Sequence, residues 1–169
     1  KDGAVLDHEE QDSYELLIQV EDSAGNIYSE TVTIHVADLN EGPTDIQISN
    51  DSVAENSAGA TVATLSSSDP DSNDSASYSI AQDDSGLFEI VGNELKLKDG
   101  ASLDHEGQDS HEVTLSVTDG SGASFEQTVT IDVNDVNEGP TSLTLSDTNV
   151  DENDVGATVA TLSSTDVDE

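Results

Sequence analysis

Residues 126–141 read EQTVTIDVNDVNEGPT. The first half alternates, with Val129, Ile131 and Val133 on one face, which is the period-two pattern of a strand with one side buried. The second half changes character at once to acid, amide, acid, Gly and Pro. The same join occurs at 29–44 as SETVTIHVADLNEGPT, an offset of 126 − 29 = 97. GAVLDHEEQDS at 3–13 returns as GASLDHEGQDS at 100–110, and GATVATLSSSDPD at 59–71 returns as GATVATLSSTDVD at 156–168, both again at 97. Three collinear matches define a tandem repeat. Residues 44–140 form one complete repeat. Residues 1–43 read as the C-terminal part of the preceding repeat, and 141–169 as the N-terminal part of the next. Neither flank carries enough strands to hold alone. The native chain is therefore expected to continue at both ends, or the flanks to borrow strands from other molecules.

Outward from that join, the complete repeat shows seven short alternating segments: 44–49, 60–65, 76–81, 87–91, 94–98, 112–118 and 127–133. They are rich in Val, Ile, Thr and Leu, and Asn, Asp, Gly and Ser fill the turns between them. No window has helical periodicity. The fold class is all-β, a Greek-key seven-stranded sandwich repeated in a linear array. Its inward positions would be Ile46, Ile48, Val62, Leu65, Tyr78, Ile80, Phe88, Ile90, Leu95, Leu97, Val113, Leu115, Val117, Val129, Ile131 and Val133. His35 and His111 are expected to face outward from their strands.

The chain of 169 residues has 38 acidic residues, three Lys and no Arg, for a formal net charge of −35. A nucleic-acid partner is excluded, because phosphate binding needs a basic face. Attraction to an anionic membrane surface is excluded on the same ground, and no apolar run is long enough for direct membrane insertion. Such charge destabilises a compact chain unless cations offset it. With no Cys there is neither a disulfide nor a thiolate ligand.

The carboxylates gather in turns and at strand ends. Asp7 and Glu9 lie in LDHE, as do Asp104 and Glu106. Glu55 lies in AEN, and Glu152 in the matching DEN. Asp69 and Asp71 form DPD, and Asp166 and Asp168 form DVD. Asp119 ends a penultimate strand, as Asp22 does. Hard oxygen donors without paired cations suit Ca²⁺. Zinc through His8 or His105 is the lesser expectation without Cys, and both histidines are expected to be solvated spacers. LDHE also holds the raw material of acid–base chemistry, but no nucleophile or second constellation accompanies it, so no enzyme is expected.

These motifs resemble cadherin repeats. LDHE is similar to the family's LDRE motif, AEN and DEN to its early glutamate, and DPD and DVD to its DxD pair. DLNEGP and DVNEGP are similar to its DxNDNxP linker, one residue shorter and with Glu for the second Asp. The DVNEGP form and the acidic, aromatic-poor composition most resemble the cadherin-like repeats of large bacterial surface adhesins of the RTX type. The resemblance implies calcium at each junction between repeats. At the first junction the implied ligands are Asp7, Glu9, Asp38, Asn40, Glu41, Asp69, Asp71 and Asp119, with carbonyls of Leu39, Gly42 and one near Asn73. At the second they are Glu55, Asp104, Glu106, Asp135, Asn137, Glu138, Asp166 and Asp168, with carbonyls of Val136 and Gly139. The function implied is a calcium-rigidified stalk of a secreted or surface-anchored adhesin, active in cell adhesion and biofilm. The alternative is a module that itself binds a surface polysaccharide or a like domain, which the scarcity of aromatics disfavours.

Overall fold

The computed structural model describes residues 3, 5–71, 74–153 and 155–168. Residues 44–140 fold as a β-sandwich of two four-stranded sheets. One sheet has the order β4 (Ser52–Ala54), β10 (Ser124–Asn134), β9 (Ser110–Thr118), β6 (Ser77–Asp83). The other has the order β3 (Asp45–Ile48), β5 (Thr61–Ser68), β8 (Glu94–Leu97), β7 (Phe88–Val91). Every strand expected from alternation is present. An eighth, β4, was not legible: three residues are too few to show a period. It pairs parallel with β10, Val53 opposite Val133, so the opening segment serves first one sheet and then the other.

Alternation in β9 and β10 buries Val113, Leu115, Val117, Ile131 and Val133 almost completely. Twelve of the sixteen expected inward residues belong to the buried core, while Ile48, Tyr78, Ile80 and Ile90 pack against it partly exposed. Three core residues were not anticipated. Val53 lies on the short β4. Ala63 follows buried Val62 directly, because the β5–β8 register shifts between Thr61 and Ala63 and turns two successive residues inward. Leu103, the first residue of LDHE, sits in irregular chain yet is 2% exposed.

His111 corrects an expectation. It is 8% exposed and meets Phe88 edge-on, with ring centroids 6.0 Å apart. It shares the face of Val113 and Leu115 on β9, so strand parity places it inward with them.

On either side of this unit lie two antiparallel pairs, β1 (Ser13–Glu21) with β2 (Ile27–His35), and β11 (Ser142–Leu145) with β12 (Leu162–Thr165). Several of their apolar side chains, among them Leu17, Ile18, Tyr28 and Leu143, are more than half exposed. The joins to the central unit repeat at 97. Thr44 N–H donates to Ser68 O at 2.8 Å, and Thr141 N–H to Thr165 O at 2.8 Å.

Candidate metal centre

At the second junction three segments of chain converge on Glu55. This side chain is 3% exposed, and its charge is held by two backbone donors. Val136 N–H donates to Oε1 and His105 N–H to Oε2, each at 2.8 Å. One carboxylate thereby ties the linker and the LDHE loop to the end of β4. Asn56, the next residue, has φ 58, and its repeat partner Asn153 has φ 68. Asn tolerates this left-handed conformation better than most residues. Asn56 Nδ2 then donates to Glu138 Oε1. The Asn that follows Glu in both AEN and DEN was the signal for this residue, and only the glutamate was read.

Ligand oxygens of Glu55, Glu106 and Glu138 lie within 4.8 Å of one another. Glu138 Oε2 is buried without a hydrogen-bond partner among the described residues. Desolvation, followed by its interactions with Asp168 and repulsion from Glu55, raises the Glu138 pKa above the ordinary glutamate value of 4.5. A buried, unpartnered oxygen among like charges is costly. A cation with a preference for oxygen would remove the cost, and the residues present fit calcium on that ground.

The first junction repeats the arrangement. Oxygens of Glu9, Asp38, Glu41 and Asp71 lie within 4.8 Å of one another. Desolvation, followed by the charges of Glu9, Asp71, Asp7 and Asp38, raises the Glu41 pKa. Glu41 N–H donates to Asp71 Oδ2 at 2.9 Å, and Glu138 N–H to Asp168 Oδ2 at 2.8 Å. Asn40 Nδ2 donates to Glu41 O at 2.7 Å, and Asn137 Nδ2 to Glu138 O. The amides of the two hinges thus brace their own backbone.

Asn40 also crosses to the central unit, donating to Asp119 Oδ2 at 2.9 Å. Asp119 is 7% exposed, and its Oδ1 accepts from Ser121, Gly122 and Ala123 N–H. Asn40 first, then those backbone donors, hold its pKa below the usual aspartate value. Gly42 packs here for a reason of space: an added Cβ would lie 3.1 Å from Ala123 Cβ. Among the described residues no comparable neighbour approaches Gly139 within 4 Å.

Of the other implied carboxylates among the described residues, Asp135 groups with Glu106 and His105, and Asp7, Asp69, Asp104, Asp119, Asp166 and Asp168 fall in none of these groups. Asp7 Oδ1 accepts from Glu10 N–H at 3.1 Å and Asp104 Oδ1 from Gly107 N–H at 3.2 Å, each closing its own LDHE turn. Asp69 Oδ1 accepts from Asp71 N–H at 3.0 Å, and Asp166 Oδ1 from Asp168 N–H at 3.4 Å. Leu39 is 77% exposed. Asn73 lies outside the described residues.

His8 and His105 are not solvated spacers. Both are half-buried. His8 Nδ1 bonds Val36 O at 2.9 Å and His105 Nδ1 bonds Val133 O at 2.7 Å, equivalent contacts on the last residues before each hinge. These carbonyls, ahead of nearby carboxylates, raise the pKa of both rings. A ring nitrogen of His105 lies within 4.8 Å of oxygens of Glu106 and Asp135, as one of His8 does with Glu9 and Asp38.

The family model of the Cadherin domain matches residues 50–134, which is 85 of the 169 residues. Protocadherin beta-1 of Homo sapiens is 32% identical over 83% of this chain, and Cadherin-99C of Drosophila melanogaster 28% identical over 80%. The chain spans 18% and 8% of those two proteins. The extracellular cadherin domains 1–4 of Protocadherin Gamma B7 superpose with a TM-score of 0.71 at 21% identity, over 96% of this chain and 42% of that one. The Protocadherin GammaB4 extracellular domain superposes with a TM-score of 0.65 at 27% identity, over 95% of this chain and 27% of that one.

Proposed function

The chain belongs to the cadherin family, whose extracellular domains bind Ca²⁺ between repeats in calcium-dependent adhesion, and on that premise we propose that its two acidic hinges are calcium-pinned joints of a stalk in a surface adhesin. Residues 1–43 and 141–169 are the adjoining parts of neighbouring repeats, and their exposed apolar faces are those that a completed sandwich would cover. The observation that carries this reading is the buried, unpartnered Glu138 Oε2 beside Glu55 and Glu106, at a point where linker and domain are already tied together.

Calcium would be held by Glu55, Glu106 and Glu138 at the second junction, with Asp135, Asn137, Asp104, Asp166, Asp168 and the carbonyls of Val136 and Gly139 as the wider ligand set. At the first junction Glu9, Asp38, Glu41 and Asp71 would hold it, with Asp7, Asn40, Asp69, Asp119 and the carbonyls of Leu39 and Gly42. The ion neutralises the cluster, and the chain's own carboxylates then tie hinge and domain in one geometry. The likeness to repeats of bacterial RTX adhesins rests on the hinge motif and composition; the relatives named above are animal proteins. Partners of the intact stalk are the adjacent repeats, through the ion. A like domain on another molecule is the second partner, favoured by the cis-dimer in which one similar protein, protocadherin gammaB7, was solved.

The experiment is a calcium titration of the full chain by calorimetry, with melting in chelator and in millimolar calcium. Extracellular modules bind with Kd of about 10⁻⁴–10⁻³ M. Each site filled at tenfold excess adds about 1.4 kcal/mol to stability. Identical melting curves without and with calcium would refute the metal reading.

A further inference from the structure

Asp99–Gly100 and Asp119–Gly120 share a sequence and differ in every contact that governs its chemistry. We propose that Asp99–Gly100, in the turn between β8 and LDHE, is a site of spontaneous covalent modification, where Asp99 isomerises to isoaspartate through a succinimide, and that the fold shields Asp119–Gly120 from the same reaction.

The reaction is intramolecular. The Gly amide nitrogen attacks Cγ of the preceding aspartic acid. An N–Cγ bond forms, the hydroxyl of the protonated carboxyl leaves as water with the amide proton, and a five-membered imide closes. Water then adds back at one of the two imide carbonyls. Breaking the N–Cγ bond restores aspartate. Breaking the bond from N to the original backbone carbonyl leaves Gly joined through Cγ, with Cβ now in the main chain. One water is lost and one regained, so the mass is unchanged. Glycine favours the attack because no Cβ stands beside its nitrogen.

The first observation is that nothing holds the reacting groups at Asp99. Asp99 and Gly100 are both exposed. Among the described residues the Asp99 carboxylate accepts no hydrogen bond, and Gly100 N–H donates none. The adjacent Lys98 directs its Nζ to Gly86 O at 2.6 Å.

The second is that the peptide joining them is free to turn over. Ala101 N–H donates to Lys98 O at 2.9 Å, which places Asp99 and Gly100 at the centre of the turn. Gly100 has φ 77, the value of a type II turn at that position. Interchange of type II and type I rotates the central peptide, and in one sense of rotation carries the Gly100 nitrogen past the Asp99 carboxyl. A Cβ added at Gly100 would meet nothing within 4 Å, so the space is open.

The third is the contrast. Asp119 is 7% exposed, with Oδ1 held by Ser121, Gly122 and Ala123 N–H and Oδ2 by Asn40. Gly120 N–H donates to Asp74 Oδ1 at 3.1 Å, and a Cβ added at Gly120 would lie 2.5 Å from that oxygen. Carboxyl and nitrogen are thus both held, in a crowded place. At Asp99 the product would add a methylene to the main chain just before Ala101, whose carbonyl accepts from Gly59 N–H at 3.3 Å, and Leu103, which enters the core.

The test is prolonged warm incubation of the full chain in mildly acidic buffer, with folding followed by circular dichroism. Proteolytic peptides are then read by electron-transfer fragmentation, which separates isoaspartate from aspartate. In the folded chain isoaspartate should accumulate at Asp99 and stay absent from Asp119. In urea, with the fold gone, both should convert. Asp99→Glu keeps the charge but would have to close a six-membered ring, so the signal from that turn should vanish. Conversion of Asp119 at the pace of Asp99 in the folded chain would overturn the proposal. So would an Asp99 that converts in urea and not in the folded chain, or an isoaspartate signal from that turn that survives Asp99→Glu.

Discussion

Glu55→Ala separates the two jobs assigned to one carboxylate. Without metal, Glu55 accepts from Val136 and His105 N–H at 2.8 Å. A hydrogen bond to a charged group contributes about 1.5–3 kcal/mol net. Val136 is 44% exposed, so water replaces Glu55 there in part. The low end applies, or about 3 kcal/mol for the pair. The substitution also removes repulsion from Glu106 and Glu138. At 4.8 Å in a water-like dielectric each repulsion is about 0.9 kcal/mol. The net cost in chelator is therefore about 1 kcal/mol. For a domain near 100 residues this is a fall in Tm of about 4–8 °C. In millimolar calcium the fall should be larger, because the ion cancels the repulsion in the wild type and the variant also loses a ligand. The assay is thermal unfolding of the full chain in both conditions. If Tm in chelator is unchanged while the calcium response disappears, Glu55 is a ligand only, and the metal-independent tie between linker and loop is wrong.

Glu106→Gln should weaken calcium binding while His105→Ala leaves it unaltered, as calorimetry on both variants would show; equal damage from His105→Ala would move imidazole into the calcium site. The raised pKa values of Glu41 and Glu138 set a pH dependence. Their charged forms are disfavoured in the folded chain, so the cost is present above the folded pKa and gone below the unfolded value near 4.5. Between neutrality and that value, acidification should strengthen the calcium-free fold at these sites and weaken calcium binding, with Glu138→Gln showing less of both in pH-resolved melting and titration. Phe88→Ala should cost about 3–5 kcal/mol in urea unfolding, equally with and without calcium, because Phe88 is 2% exposed in the core and takes no part in the acidic clusters.

The strands were legible because a half-buried strand stamps its period on the sequence, and β9 and β10 are long enough to show it. Where the chain departs from that period, the sequence was silent. The bulge at Thr61–Ala63 turns Ala63 inward against the alternation, and Leu103 enters the core from irregular chain. His111 was read by its polarity, although its parity with Val113 gave the right face. At the hinges, repetition marked the carboxylates, and the structure gathers Glu9, Asp38, Glu41 and Asp71, and Glu55, Glu106 and Glu138. Asp7, Asp69, Asp104 and Asp166 each also close a turn through Oδ1, a role that depends on which backbone N–H lies nearest and leaves no mark on composition. The Nδ1 bonds to Val36 and Val133 join residues 28 apart in sequence, so only the fold reveals them.

The central claim is that calcium changes a hinge and not a fold. Seven carboxylates, Glu55, Asp104, Glu106, Asp135, Glu138, Asp166 and Asp168, belong to the ligand set proposed for the second junction, and without cations they should drive neighbouring repeats apart by mutual repulsion. The aliphatic core, from Leu95 to Ile131, contains none of these carboxylates and should persist without metal. Small-angle scattering on a polypeptide of two consecutive complete repeats, in chelator and in millimolar calcium, measures this directly. The account predicts a flexible pair in chelator that becomes rod-like, with a longer maximum dimension, as calcium rises, and a β-sheet circular dichroism signal that is the same in both. A shape and flexibility indifferent to calcium would contradict it, even if the ion still bound.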